Sequence, residues 1–229
     1  MPRTGDETPN HRTGRRPLLA DAAITILARD GGRGLTHRAV DREAHVPEGT
    51  TKNYHPTRQA ILEAAATRMA ELHAAAIDQL RDTTPPGATP HQLRALYPAL
   101  IRRATLDPTQ ALAMVELYLE GVRIPAIRAA LGTMAAANAH ATTQLHHAAG
   151  VTSDTDTTGL LDACLLGVLL SRLALPPDTP GLADTDTVGT RLFDTVVNSA
   201  TPPARDTIAC RPLPRAVHRR QPVAYGHGR

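Results

Sequence analysis

Apolar residues recur at steps of three and four along most of the chain, the spacing of one helix face. Leu19, Ala22, Ala23, Ile26 and Leu27 make the first such stripe, with Pro17 at its head and Asp30-Gly31-Gly32 at its foot, which predicts a helix over 17–30. Thr36 caps a second helix that ends near Ala44, with Val40 and Ala44 inward at i, i+4. A turn at Ala44-His45-Val46 leads to a third helix from Pro47 to Tyr54. Pro56 breaks the chain and Thr57 caps a fourth helix, whose Ile61, Leu62, Ala65, Ala66, Met69, Leu72, Ala76 and Leu80 keep the stripe running to about Arg81. After a Pro/Gly/Thr loop at 83–90, helical patterns return at about 91–105, 108–122, 125–149 and 157–175, and, past a second Pro/Gly break, at 185–199.

Composition narrows the class. Aromatic residues are 2% of the chain and Trp is absent, so the core must come from Ala, Leu, Val and Ile, which favours an all-α fold. The organisation expected is a basic, disordered arm at 1–16, a helix-turn-helix unit at 17–62, a larger helical domain at 63–200 and a disordered basic tail at 201–229. Charge follows that division: 1–60 carry ten Lys or Arg against seven Asp or Glu, 61–200 nine against fourteen, and 201–229 six against one. A basic end on an acidic body suits a nucleic-acid reader joined to a different module. Cys164 and Cys210 stand alone, without the spacing of a zinc site or a disulfide framework. The polar N-terminus lacks a signal-peptide pattern and the longest apolar run, 163–174, is short for a bilayer, so a cytoplasmic protein without membrane contact is expected.

The segment from Leu35 to Leu62 carries the most chemistry. Two short helices with small inward residues leave a polar outer surface, the helix-turn-helix arrangement whose second helix can enter a DNA major groove. Glu48, Gly49, Thr50, Lys52 and Asn53 fall on or beside that helix's outer face, Arg38 is placed to reach a base edge, and Thr36, His37, Tyr54 and Arg58 flank the groove near phosphates. Enzymatic patterns are missing: there is no Gly-x-Ser-x-Gly, phosphate loop or Cys/His cluster, and His146-His147 are adjacent and cannot form an i, i+4 metal pair. No cofactor or metal is expected. Asp154, Asp156, Asp184 and Asp186 lie in Thr-rich loops as turn and capping residues.

From about Leu18 to Leu62 these landmarks resemble the TetR/AcrR family of bacterial transcriptional regulators. The matching positions are Asp30-Gly31, Leu35-Thr36, Arg38, Val40, Ala44-His45-Val46, Gly49-Thr50, Asn53-Tyr54-His55, Pro56-Thr57-Arg58 and Ala60-Ile61-Leu62. Two residues depart from the family pattern: His45 replaces the turn glycine and His55 the packing Phe. A left-handed His45 would cost about 1 kcal/mol relative to Gly. A buried His55 would need a hydrogen-bond partner.

The resemblance implies a homodimeric repressor of a palindromic double-stranded DNA operator, released by a small-molecule effector whose identity the sequence leaves open. It also implies a ligand pocket in the central helices and a dimer made by the last two. Large or polar residues within those apolar helices are the ligand candidates: Tyr97, Met114, Glu116, Tyr118, Glu120, Arg123, Met134, His140 and Arg172. The segment 160–173 is apolar almost all round, Gly167 permits close helix approach, and Leu165, Leu166, Leu169, Leu170, Leu192 and Val196 are the interface expected. The alternative is an all-helical small-molecule-binding or interaction protein whose helix-turn-helix is only structural.

Overall fold

A computed structural model describes residues 9–83 and 88–199, with the backbone alone for 9–13 and 198–199. Nine helices follow one another among the described residues: α1 Pro9–Gly34, α2 His37–Glu43, α3 Thr50–Tyr54, α4 Arg58–Thr83, α5 Pro90–Leu106, α6 Thr109–Arg123, α7 Pro125–Ala148, α8 Thr155–Ala174 and α9 Thr185–Ser199. The fold is all-α: an N-terminal helix-turn-helix domain, α1–α3 closed by the start of α4, joined to a larger helical body.

The caps are those expected from local chemistry. The Thr36 hydroxyl accepts from Ala39 N at 3.2 Å, and Thr57 accepts from Ala60 N at 3.1 Å. Asp154 accepts from Thr157 N at 2.8 Å, and Asp184 from Thr187 N at 3.0 Å. Thr89 and Gln92 close a reciprocal capping box on α5.

The start of α1 differs from the sequence reading. Residues 9–16, expected as disordered arm, are helical, and Pro17 lies inside α1. Pro17 is the ninth residue of α1, where it removes one bond of the ladder while the helix continues across it, so a proline alone does not mark the first turn. The break falls at Gly31, within the expected Asp30-Gly31-Gly32 stop, where φ is 69° and the chain bends toward α2. The remaining arm residues, 1–8, and the tail 201–229 lie outside the described residues.

One apolar core runs from the N-terminal domain into the body. Leu19, Ile26, Leu27, Leu35, Val40, Ile61, Leu62 and Met69 pack in the same cluster as Met114, Leu117, Ile127, Leu131 and Met134 of α6 and α7. A second cluster gathers Leu93, Tyr97, Leu145, Leu161, Phe193 and Val197 between α5, α7, α8 and α9. Helix α6 lies along α1, so the helix-turn-helix domain rests directly on the body rather than on a linker.

Candidate nucleic-acid interface

The helix-turn-helix is set by its turn and by one buried carboxylate. His45, which replaces the family's turn glycine, takes a left-handed φ of 51°. Gly49 has a φ of 90°, and a Cβ there would meet nothing within 4 Å, so the demand for glycine is conformational. Helix α3 therefore starts at Thr50, three residues later than Pro47. Its first N–H groups point at Asp41 of α2. That carboxylate, 3% exposed, accepts from Gly49 N at 2.8 Å, Thr51 N at 2.7 Å and the Thr51 hydroxyl at 2.5 Å. Burial works to raise the Asp41 pKa, but the bonds from Thr51 and Gly49 prevail and hold it below the usual carboxylate range. Sequence reasoning passed over Asp41. The available signal was a carboxylate beside the inward Val40, eight residues before Gly49.

The ten sequence-predicted DNA-facing residues divide. Lys52 and Asn53 are exposed on α3, and no side-chain hydrogen bond or ion pair engages them among the described residues. Thr36 is exposed at the α2 cap. Arg38 and Glu48 are exposed and pair across the α2–α3 gap at 2.7 Å. Thr50 is half-buried, its hydroxyl donating to the Pro47 carbonyl at 2.6 Å. His37 turns partly inward, its Nε2 donating to the His55 carbonyl at 2.7 Å. Tyr54 packs against the core. Arg58 is committed elsewhere: its Nη2 donates to the Gly32 carbonyl and pairs with Glu120 of α6, both at 2.6 Å. His55 is buried with Nε2 unpartnered among the described residues. Burial, with Arg16 and His37 nearby, lowers its pKa and keeps the ring neutral.

The expected ligand residues do not converge. Met114 and Met134 belong to the core beneath the reader. Glu116 accepts from Gly32 N at 2.8 Å, so it faces α1 rather than a pocket. Tyr118 is 43% exposed beside a groove of about 330 Å³ between α6 and α7. Arg123 and His140 are exposed, and Arg172 donates to the Leu182 carbonyl. Polar or bulky character alone does not fix the direction in which a helix residue points. Tyr97 is different. Its hydroxyl donates to His146 Nε2 at 2.8 Å, the His146 Nδ1–H reaches Ser153 Oγ at 3.0 Å, and Phe193 packs on both rings. Burial pushes the His146 pKa down to about 4 and that of half-buried Asp162 up to about 6. Burial, reinforced by Asp162, lifts the Tyr97 phenol above its usual range.

The expected dimer residues differ in exposure. Leu165, Leu166, Leu169, Leu192 and Val196 pack inside the subunit. Leu170 is the one of the six that is exposed. The free stripe of α8 is Leu160, Ala163, Gly167, Leu170 and Ala174. A helix apolar all round hides which stripe its own body covers.

These features define a helix-turn-helix reader seated on an all-helical body. Comparison with known proteins gives the class a family. The family described as Tetracyclin repressor-like, C-terminal domain matches residues 88–199. The multidrug binding protein EbrR in complex with proflavin is 31% identical, over 78% of this chain and 99% of that one, with a TM-score of 0.50. Its ethidium complex aligns at 27% identity over 80% and 98%, with a TM-score of 0.59. A TetR-family member from Streptomyces coelicolor A3 is 28% identical over 80% and 98%, with a TM-score of 0.58. No curated protein matches. The chain belongs to the TetR family of DNA-binding transcriptional regulators.

Proposed function

We propose that the protein is a homodimeric repressor that reads a palindromic DNA operator with α3 and is released from it by a small organic effector. The observation that carries this reading is the outer face of α3, where Lys52 and Asn53 stand exposed and unengaged on a helix whose start is fixed by Asp41. Thr36, Arg38, Glu48, Gly49 and Thr50 surround them. An Asn can bond adenine in a bidentate manner and a Lys can reach guanine.

The dimer is supported by α8. Its exposed residues 160, 163, 167, 170 and 174 repeat at steps of three and four, with Leu160 57% and Leu170 39% exposed. That is the seam of a helix awaiting another helix. By length and composition α8 could also cross a membrane. Its other faces, however, pack on α7 and α9, which suits a second copy better than lipid. Such a dimer presents two α3 helices to half-sites about one DNA turn apart, roughly 34–36 Å. Its place of work is the cytoplasm, with the DNA.

The effector reading draws on the EbrR relatives, solved with proflavin and ethidium. In this chain the candidate place for an effector is the body at Tyr97, Phe193 and Asp162, where apolar packing meets buried polar groups. No step of the function needs catalysis.

Lys52→Ala and Asn53→Ala test the reading on DNA. Each should weaken binding to duplexes selected from a random pool by about 1–3 kcal/mol while leaving random DNA almost unchanged. Equal losses on both DNAs would place the two side chains on phosphates. A wild-type protein that selects no sequence would end the proposal.

A further inference from the structure

Two carboxylates one turn apart on α6 hold the two ends of the helix-turn-helix. Glu116 accepts from the amide of Gly32, where α1 gives way to α2. Glu120 pairs with Arg58 at the start of α4, and the same Arg58 Nη2 returns to the Gly32 carbonyl. Everything between those points, residues 33–57, is the turn, α2 and α3. The fit is close. A Cβ on Gly32 would lie 2.7 Å from Glu120 Oε1, and Glu120 is only 14% exposed. The preceding Gly31, with φ of 69°, makes the bend that brings Gly32 against α6.

We propose that Glu116 and Glu120 form a two-point clamp through which α6 fixes the position of the DNA-reading unit, and that Arg58 is a positioning residue of this clamp rather than a phosphate contact. This rests on the DNA-binding reading above. Three observations argue for it together. The Arg58 head group already has a carboxylate and a carbonyl as partners. Arg58 is 42% exposed but Glu120 only 14%, so withdrawing the guanidinium leaves a mostly buried carboxylate without its partner. The clamp also joins the end of α1 to the start of α4, so any displacement of α6 is felt at both ends of the reader at once.

The test uses full-length protein and a duplex that the wild type has selected from a random pool. Arg58→Ala, Glu120→Gln and the double variant are titrated against it from 50 to 200 mM salt. The clamp predicts that each single variant weakens binding about three- to tenfold. It also predicts that the double variant is no worse than the singles, and that the slope of log K against log salt is unchanged. A phosphate contact predicts a slope smaller by about 0.9 for Arg58→Ala. For Glu120→Gln, which frees the guanidinium, it predicts tighter binding. Either result would overturn the clamp. A reading without DNA guards against misfolding. Amide exchange should quicken across 33–57 in Glu116→Gln and Glu120→Gln while α7–α9 stay protected, and unchanged exchange would also overturn it. Failure of the wild type to select DNA is a separate outcome, directed at the function and not at the clamp.

Discussion

Removing the Asp41 carboxylate should loosen the recognition helix more than any exposed substitution on it. Helix α3 has five residues and cannot satisfy its own first N–H groups. In Asp41→Ala the Gly49 and Thr51 amides and the Thr51 hydroxyl lose their acceptor at once. An unpaired buried donor costs about 1–3 kcal/mol. Thr51 is fully buried, so its amide bears that cost in full, while Gly49 is half-buried and water can reach it. The desolvation of the carboxylate is recovered, which offsets part of the loss. The net is a destabilisation of about 3 kcal/mol. Asp41→Asn keeps an acceptor but not its charge, and should cost about half as much. Urea unfolding followed by circular dichroism at pH 7 measures both. Operator affinity should fall at least about tenfold in the Ala variant, because α3 is no longer held in one position. The pKa of Asp41 is lowered on folding, so its contribution is complete above the unfolded value near 3.9 and is lost as pH falls through the folded one. A loss below about 1 kcal/mol with operator affinity intact would refute the reasoning, since the three bonds would then be replaceable by water.

Other perturbations follow from the same geometry. Leu170→Arg, on the free face of α8, should give a folded monomer in sedimentation, whereas Leu169→Arg, 8% exposed within the subunit, should lose helical signal; a folded dimer from Leu170→Arg would move the interface elsewhere. His45→Gly should raise stability by up to about 1 kcal/mol, because φ of 51° strains a side chain, and a lower unfolding midpoint would show that the imidazole makes a compensating contact. The pKa of His146 is lowered to about 4, so folding stability should fall as pH drops from 6.5, by about 3 kcal/mol once pH 4 is reached. Asp162, raised to about 6, works in the opposite direction over the same range, so the slope should emerge in Asp162→Asn and flatten again when His146→Gln is added; a flat profile in Asp162→Asn would mean that His146 titrates normally.

Local chemistry made much of this fold legible. The Thr36 and Thr57 hydroxyls, the Asp154 carboxylate and the stripes of α4 to α9 are determined by near neighbours, and the spans of α4 to α9 follow within a few residues, whereas α1 starts eight residues early. His45 stands out in the sequence only through the resemblance, as the residue in place of a turn glycine, and its left-handed φ of 51° comes from the structure. The contacts that organise the site were not legible, because they join distant parts of the chain. Arg58 meets Glu120 across 62 positions and Gly32 meets Glu116 across 84. A charged residue on an amphipathic helix reads as solvated until the packing partner is known. Asp41 was hidden for a similar reason: its partners are backbone amides, which leave no mark on composition. The free stripe of α8 was illegible because apolar residues surround that helix, and only the packing of α7 and α9 decides which of them remain outside.

Titration of a selected palindromic duplex with the full-length protein, followed by fluorescence anisotropy over a series of salt concentrations and by sedimentation of the complex, tests the central claim most directly. The account predicts two chains per duplex, affinity for the selected duplex at least about a thousandfold above random DNA, and a log–log salt slope of about −0.9 for each phosphate neutralised. One chain per duplex, or equal affinity for selected and random DNA, would contradict it.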